Sequence, residues 1–180
     1  MSLISNHISF LLAILLGLAL SSCEENGNPQ QSVPSVDTKR RDEVLEKANR
    51  YLVIQEEEAI SEYVERHQLN VVETGTGLRY CIVRQGDTEL IKRGEVISME
   101  YEVRLLTGDL VYSSKADGPK TFLVGRGGVE LGLEEAVLHL HKGDVAVIII
   151  PSRLAYGLLG DGDRVPPRAA LVYKVKIINN

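Results

Sequence analysis

The chain of 180 residues has little positive charge and few cysteines. Its 20 Lys and Arg residues are outnumbered by 25 Asp and Glu residues, which gives a formal net charge of −5. The basic residues form no clustered stripe, so the chain lacks the phosphate contacts on which nucleic-acid affinity depends. The acidic net charge and the scattered basic residues therefore argue against nucleic acid as a partner.

The N-terminal region has the pattern of a targeting segment. Ile8–Leu20 is an apolar run, which is short for a bilayer-spanning helix and is placed like the core of a signal peptide. It ends in Leu-Ser-Ser-Cys at residues 20–23, which looks like a bacterial lipobox with Cys23 as the lipidated residue. Residues 1–22 are therefore predicted to be a lipoprotein signal peptide. Because Met1–His7 contains no Lys or Arg, an ordinary cleaved signal peptide and a short uncleaved anchor remain alternatives.

The two cysteines, Cys23 and Cys81, then have separate roles. If Cys23 carries lipid, Cys81 has no partner for an intrachain disulfide, even in an oxidising envelope. Cys81 lies in a strand pattern with no His-bearing motif nearby, which predicts a small core residue rather than a catalytic thiol. The expected location is the bacterial cell envelope, with the protein held on a membrane by its lipid and facing the periplasm or the cell surface.

Two segments separate the predicted anchor from the main domain. Residues 23–38 are polar, rich in Pro, Gly, Asn, Gln and Ser, and predict a flexible tether. Residues 39–70 are predicted to be helical, because Lys39–Gln68 lacks Gly and Pro. The acidic run Glu56–Glu58 is interpreted as a solvated face. An apolar stripe predicts packing on the chain's own domain, with a homodimer through this helix as the alternative; its residues are Leu45, Ala48, Leu52, Ala59, Ile60, Tyr63 and Val64.

Residues 77–180 combine several strand patterns with one short helix. The strand patterns are separated by Gly, Asp and Pro and lie at residues 78–83, 96–106, 121–124, 145–150 and 171–178. The helix has an apolar face at spacing i, i+3, i+4 and i+7, formed by Leu133, Ala136, Val137 and Leu140. Gly143 follows as a predicted left-handed C-cap. The pattern alone predicts a small α+β domain.

Several short blocks in this region occur in a fixed order. They are Tyr101 to Ser113-Ser114, Phe122 to Gly125, Val129 to Ala136, Gly143-Asp144, Pro151 to Gly157, and Val165 to Tyr173. Together they resemble the FKBP-type peptidyl-prolyl cis-trans isomerases. The resemblance implies a curved antiparallel sheet wrapped around one short helix, here preceded by an N-terminal helix. With Tyr112 before Ser-Ser and a Glu-rich helix upstream, the chain is also similar to the gliding-motility-associated FKBP-like lipoproteins of Bacteroidetes.

Peptidyl-prolyl isomerisation makes no covalent bond, so it needs no nucleophile, metal or cofactor. Its barrier of roughly 18–20 kcal/mol is the loss of amide resonance as the X–Pro bond twists. A site lowers this barrier by binding the twisted amide better than the planar one. The chemistry therefore calls for aromatic and aliphatic walls around the proline ring and for one or two placed hydrogen-bond donors.

The resemblance implies a role for individual residues. The implied catalytic residues are Tyr101, Tyr112 and Tyr156, with the Tyr156 hydroxyl directed at a substrate carbonyl. Leu133 would form the pocket floor, and the backbone N–H of Glu130 would hold a second carbonyl. The full implied substrate-binding set is Val111, Phe122, Val129, Glu130, Leu133, Val165 and Tyr173. Because aromatic residues of small domains are often core residues, Tyr101 and Tyr173 are expected to serve both core and pocket.

Two departures from the family pattern bear on activity. Val111-Tyr112 stands where active members usually carry Phe-Asp, and the loss of that Asp is expected to weaken catalysis. Lys120 stands at a place that is often aromatic. The first functional hypothesis is therefore a tethered isomerase acting on X–Pro bonds of exported or envelope proteins. The second is a catalytically weak FKBP-fold chaperone or binding module in envelope or gliding-machinery assembly, again with proline-containing clients.

Three other motifs are interpreted as structural. The glycine-rich residues 125–128 resemble a phosphate loop, but they lack its Lys-Ser/Thr ending and are followed by acidic residues such as Glu134. His139 and His141 point to different sides of their segment. Residues 161–163, Asp-Gly-Asp, are followed by two prolines where the ligands of a calcium loop would continue. No metal site is predicted.

Overall fold

The computed structural model describes residues 38–86 and 89–178. The chain divides into two compact units, residues 1–43 and 44–180. Of the first unit only residues 38–43 are described, and they form the start of a helix. The predicted signal peptide, most of the tether and the lipidation site Cys23 lie outside the described residues. Within the described ranges, the helices are too short or too polar to cross a membrane.

The described elements are one long helix followed by an antiparallel sheet with two short helices. They are α1 (Thr38–Arg66), β1 (Val72–Glu73), β2 (Arg79–Arg84), β3 (Val96–Leu105), β4 (Leu110–Ser113), α2 (Ser114–Asp117), β5 (Lys120–Leu123), α3 (Leu131–Val137), β6 (Val145–Ile150) and β7 (Leu171–Ile178), with a 3-10 turn at Ser152–Leu154. The strand order is β1-β2-β6-β7-β3-β4, and β5 also pairs with β3. This confirms the predicted α+β architecture with its N-terminal helix.

Strand β3 pairs with one strand along one of its edges and with two strands along the other. Along one edge it pairs with β7 from Ser98 to Leu105. Along the other edge its first part pairs with β5 and its last part with β4. Near the point where the two partners meet, the backbone N–H of Tyr101 donates to the hydroxyl of Ser114 at 3.1 Å. Between β5 and β4, this edge of β3 has no strand partner at Tyr101 in the part of the chain that the structure describes. The hydroxyl of Ser114 accepts the backbone N–H of Tyr101 in place of a strand.

Helix α3 covers one face of the sheet. Leu133, Ala136, Val137 and Leu140 have no exposed surface, which confirms the apolar face predicted from their spacing. The helix can approach strand β6 closely because residue 132 is glycine: a Cβ there would lie 2.3 Å from Ile150 Cγ2.

The predicted C-cap of this helix is wrong. Helix α3 ends at Val137, where the N–H of Leu138 bonds back to the carbonyls of Glu135 and Ala136. Gly143 does have a positive φ of 80°, but it belongs to the turn before β6. The helix is shorter than the apolar pattern indicates, because Leu140 reaches the same core from the segment that follows the helix.

The second half of α1 covers the opposite face of the sheet. Ile60 and Tyr63 pack there against Val147, Ile149 and Val172. Alternate residues of β6 belong to the α3 side and to the α1 side. Since both faces of β6 are buried, its sequence is an unbroken apolar run rather than an alternating one.

The apolar stripe of α1 packs on its own domain only in part. Leu45 is 60% exposed and Leu52 is 40% exposed, whereas Ile60 and Tyr63 are buried. The helix ends four residues before the predicted boundary at residue 70, because Gln68 adopts a left-handed φ of 51°. A homodimer through the exposed half of the helix stays a prediction.

The prediction that Glu56–Glu58 form a solvated face is wrong for Glu56 and Glu57. Glu56 bonds to Ser152. Glu57 pairs with Arg79 at 3.0 Å and with Arg153 at 3.5 Å. Only Glu58 is exposed. The reason is tertiary, because β6 ends beneath this part of the helix and the following turn presents donors to it.

Candidate active site

The structure brings all of the predicted pocket residues together on the α3 side of the sheet. Tyr112, Val129 and Tyr156 are partly buried and pack against the same cluster. Glu130 is buried and bonds to two of the tyrosines. The fully packed members of the cluster are Tyr101, Val111, Phe122, Leu133, Val165 and Tyr173.

Paired strands position the two central rings. Val103 lies opposite Tyr173, and Tyr101 lies opposite Val175, so the two tyrosines are diagonal neighbours on one face. Their ring centroids are 6.4 Å apart with an interplanar angle of 37°. Tyr101 is 8% and Tyr173 is 1% exposed, so both are core residues as well as neighbours of the site.

The carboxylate of Glu130 lies at the centre of the site. Its Oε1 accepts a hydrogen bond from the hydroxyl of Tyr156 and another from that of Tyr173, each at 2.7 Å. The backbone of Glu130 is fixed as well, because its carbonyl accepts the N–H groups of Leu133 and Glu134 at the start of α3. The sequence prediction used only its backbone N–H and missed this side chain.

Lys120 supplies the counter-charge. Within β5, Lys120 and Phe122 are the inward-facing residues, as the burial pattern shows. The Lys120 Nζ lies 3.7 Å from Glu130 Oε2, and 5.3 Å and 5.8 Å from the ring centroids of Tyr101 and Tyr173. Glu130 Oε2 is buried and has no hydrogen-bond partner among the described residues. The available signal was Lys120, which stands at a place that is often aromatic in the family.

These contacts fix the protonation of the group. Burial alone raises the pKa of Glu130, but the charge of Lys120 and the hydrogen bonds from Tyr156 and Tyr173 outweigh burial and leave this pKa below its usual range. Burial and the nearby carboxylate raise the pKa values of Tyr156 and Tyr173. At neutral pH the site therefore contains a carboxylate and two neutral hydroxyls that donate to it.

An open pocket of about 400 Å³ lies over this network. Its walls are Lys120, Gly128, Val129, Glu130, Leu131, Ala155 and Tyr156. The predicted floor residue Leu133 has no exposed surface, so a ligand reaches it only if the groups above it move. The Tyr156 hydroxyl donates its hydrogen bond to Glu130. It must rotate away from Glu130 before it can donate to a substrate carbonyl, and that donation stays a prediction.

Tyr112 ties strand β4 to the loop that precedes β7. Its hydroxyl donates to the carboxylate of Asp161, and this hydrogen bond raises the pKa of Tyr112 to about 12. Asp161 also accepts the N–H groups of Asp163 and Val165. The Asp-Gly-Asp segment is thus a turn, as predicted, and its partner on β4 was not foreseen from the sequence.

The other flagged motifs have structural roles. The carboxylate of Glu134 accepts the N–H groups of Gly125 at 2.6 Å and Gly127 at 2.9 Å, so it already occupies the donors that would hold a phosphate. Burial raises the pKa of the Cys81 thiol, which disfavours the reactive thiolate. Across residues 38–86 and 89–178, no three His, Cys, Asp or Glu side chains are grouped to hold a metal ion.

The profile of the FKBP-type peptidyl-prolyl cis-trans isomerases matches residues 87–178. The chain belongs to this family. The chain is 41% identical over 106 residues to a probable FKBP-type peptidyl-prolyl cis-trans isomerase FkpA of Neisseria meningitidis, which covers 58% of this chain and 38% of that protein. It is 33% identical over 106 residues to the FKBP-type 22 kDa peptidyl-prolyl cis-trans isomerase of Escherichia coli, which covers 58% of this chain and 50% of that protein. The match thus spans half or less of these two FKBP relatives.

Solved structures agree with the FKBP-like fold. AtFKBP13 aligns with a TM-score of 0.60 at 27% identity, over 62% of this chain and 99% of that one. FkpA from Escherichia coli aligns with a TM-score of 0.61 at 22% identity, over 96% of this chain and 81% of that one. The FKBP-like antiparallel sheet with a helix against it, implied by the sequence blocks, is confirmed, and the alignment with FkpA covers 96% of this chain.

Proposed function

We propose that this chain is a peptidyl-prolyl cis-trans isomerase that acts on X–Pro bonds of exported or envelope proteins. The observation that carries the proposal is the convergence of Tyr101, Tyr156 and Tyr173 with the aliphatic residues Val129 and Val165 in an FKBP domain. Aromatic and aliphatic walls suit a proline ring, and a tyrosine hydroxyl at the rim suits the amide that must twist.

A proline-isomerisation assay on the full chain tests the activity. Tyr156→Phe should keep the fold and lower kcat/KM by a factor equivalent to about 0.5–1.5 kcal/mol, because one hydrogen bond at the site is lost. Tyr51→Phe is the matched control, since Tyr51 is 60% exposed on α1 and remote from the pocket. Absence of activity in the folded wild-type chain on every X–Pro peptide would refute the proposal.

The second candidate is a catalytically weak chaperone or binding module of the same fold. It is favoured by the Lys120–Glu130 pair, which places two charges at the wall of the pocket, and by Tyr112 in the place of the usual Asp. A triple variant tests it. Val111→Phe and Tyr112→Asp restore the family pair, and Asp161→Asn removes the carboxylate that would otherwise face the new Asp at position 112. A rise in kcat/KM supports the weak-enzyme candidate, whereas an unchanged rate in a folded variant argues against Tyr112 as the cause.

We further propose that the protein is located in the bacterial envelope and is held on a membrane by lipid on Cys23. The support is the sequence of the first part of the chain, with its apolar run at Ile8–Leu20 and the Leu-Ser-Ser-Cys ending. An isomerase held in this way would meet proline-containing clients as they arrive across the membrane. We also propose components of the gliding machinery as the first clients to test, on the resemblance that Tyr112 before Ser-Ser and the Glu-rich helix suggest from the sequence alone.

A further inference from the structure

The pair Lys120 and Glu130 differs in chemistry from the rest of the pocket wall. A proline ring is neutral and gains affinity from apolar and aromatic surface alone. A partly buried ion pair adds nothing to that affinity, and its desolvation is unfavourable. The pair therefore needs an explanation beyond proline binding.

The ammonium group of Lys120 occupies the aromatic surface of the site. It lies 5.3 Å from the ring centroid of Tyr101 and 5.8 Å from that of Tyr173, within the range of a cation–π contact of about 6 Å. Only a quarter of the Lys120 side chain is exposed, at 25%. A ligand that packs on these two rings must displace this ammonium group.

Displacement leaves the Glu130 carboxylate without a cation. Oε1 already accepts two hydroxyl groups, while Oε2 has no hydrogen bond and depends on Lys120 at 3.7 Å. The Glu130 side chain is only 4% exposed, so water replaces the lost charge poorly. A neutral ligand is therefore penalised, because it strands a buried carboxylate. A ligand that brings its own cation restores the ion pair with Glu130.

We propose that this pocket is selective for X–Pro segments in which the residue before proline is Lys or Arg. The proline ring takes the place of the Lys120 ammonium group over the rings of Tyr101 and Tyr173, and the cation of the preceding residue pairs with Glu130 Oε2. Glu130 is then the specificity-determining residue, and Lys120 is an internal competitor that keeps the empty site neutral. The selectivity rests on the proposed function only because its ligand is a peptide segment that contains proline.

Calorimetric titration of the full chain with acetylated Ala-X-Pro-Phe amides measures this selectivity. Lys and Arg are the charged residues at X, Met is the uncharged control of similar length, and Glu is the opposite charge. For the wild-type chain we expect the Lys and Arg peptides to bind with a Kd roughly three- to tenfold lower than the Met peptide, as expected of a partly buried ion pair. The Glu peptide should bind most weakly.

Two variants test the roles of the pair. Glu130→Gln removes the charge but keeps an oxygen for the tyrosine hydroxyls, so the Kd values of the Lys and Met peptides should become equal. Lys120→Met removes the competitor and leaves Glu130 unpaired, so the advantage of the Lys peptide should grow. Lys115→Met is the matched control, since Lys115 is exposed on α2, and it should bind like the wild type. Because the two variants act in opposite directions, the test survives if one of them does not fold.

The same peptides in the isomerisation assay separate this inference from the proposed function. Charge-dependent binding without isomerisation of any peptide refutes the enzymatic function and leaves the selectivity intact. Isomerisation with equal Kd values for Lys and Met, or with tightest binding of Glu, overturns the selectivity alone. Absence of binding by all four peptides overturns both.

Discussion

The carboxylate of Glu56 accepts two hydrogen bonds from Ser152, one from its backbone N–H at 2.5 Å and one from its hydroxyl at 3.0 Å. Ser152 opens the 3-10 turn after β6, and its carbonyl accepts the N–H of Gly157 at 2.8 Å. Tyr156 precedes that glycine. The long helix α1 is therefore bonded to the same turn that carries the candidate catalytic hydroxyl.

Removal of this contact should destabilise the domain. Glu56→Ala leaves a partly buried backbone N–H of Ser152 without its acceptor, which should lower the free energy of unfolding by about 1–3 kcal/mol. Urea denaturation measures the loss. Glu58→Ala is the control, because Glu58 is an exposed glutamate two residues away in the same helix. Equal midpoints for the two variants would contradict a structural role for Glu56.

A charge on the buried face of α3 should unfold the domain. Val137 has no exposed surface, whereas Leu131 in the same helix is 70% exposed. Val137→Asp buries a carboxylate with no partner and should abolish the cooperative thermal transition, while Leu131→Asp should keep it. A native melting temperature for Val137→Asp would show that this face is not packed.

Stability should fall in acid through Glu130. Its pKa is lower in the folded chain than in the unfolded chain, because Lys120 and two hydroxyls favour the carboxylate despite burial. The stabilisation is thus present above the unfolded-state pKa and is lost as pH falls through the folded-state pKa. Chemical denaturation at a series of acidic pH values should show a shallower loss for Glu130→Gln than for the wild type. Parallel profiles would exclude Glu130 as the source.

Tyr112 should titrate at a higher pH than an ordinary tyrosine. Its hydrogen bond to Asp161 raises its pKa to about 12, and the ultraviolet absorbance difference between the wild type and Tyr112→Phe isolates its transition. Asp161→Asn should move that transition to lower pH, because the acceptor loses its charge. A Tyr112 transition at the ordinary pH of tyrosine in the wild type would mean that this bond does not form in solution.

The lipid anchor makes its own prediction. Cys23→Ala should abolish incorporation of labelled fatty acid and leave the protein unprocessed or in the soluble envelope fraction. Stable membrane attachment requires more than one acyl chain on the mature terminus, because a single chain binds only marginally. Cys81→Ala is the matched control and should be labelled like the wild type. Label that persists in Cys23→Ala would refute the lipobox assignment.

The elements that the sequence predicted well are those with a local signal. Strands β6 and β7 were predicted with their observed limits, because each is a continuous or alternating apolar run between turn residues. The buried face of α3 followed from the spacing of Leu133, Ala136 and Val137. The ordered blocks also identified the family, since they record backbone requirements of the fold.

The features that the sequence did not predict depend on contacts between distant segments. The sequence predicts Glu56 to be a solvated helix residue, because its contact with the turn after β6 exists only in the folded chain. Glu130 and Lys120 are ten residues apart and carry no motif, so their pairing appears only when β5 and the start of α3 meet. The hydrogen bond from Tyr112 to Asp161 likewise joins strand β4 to a distant loop, and no periodicity connects the two.

Strand β7 follows the other described strands in the chain but lies in the middle of the sheet, between β6 and β3. Until residues 171–178 have left the ribosome, β3 lacks its full-length partner, and β1, β2 and β6 are separated from β3, β4 and β5. The earlier strands therefore cannot form the sheet one by one as they emerge, and closure waits for pairings such as Met99 with Ile177. Such distant pairings make folding slow. The domain therefore does not close until β7 has been made.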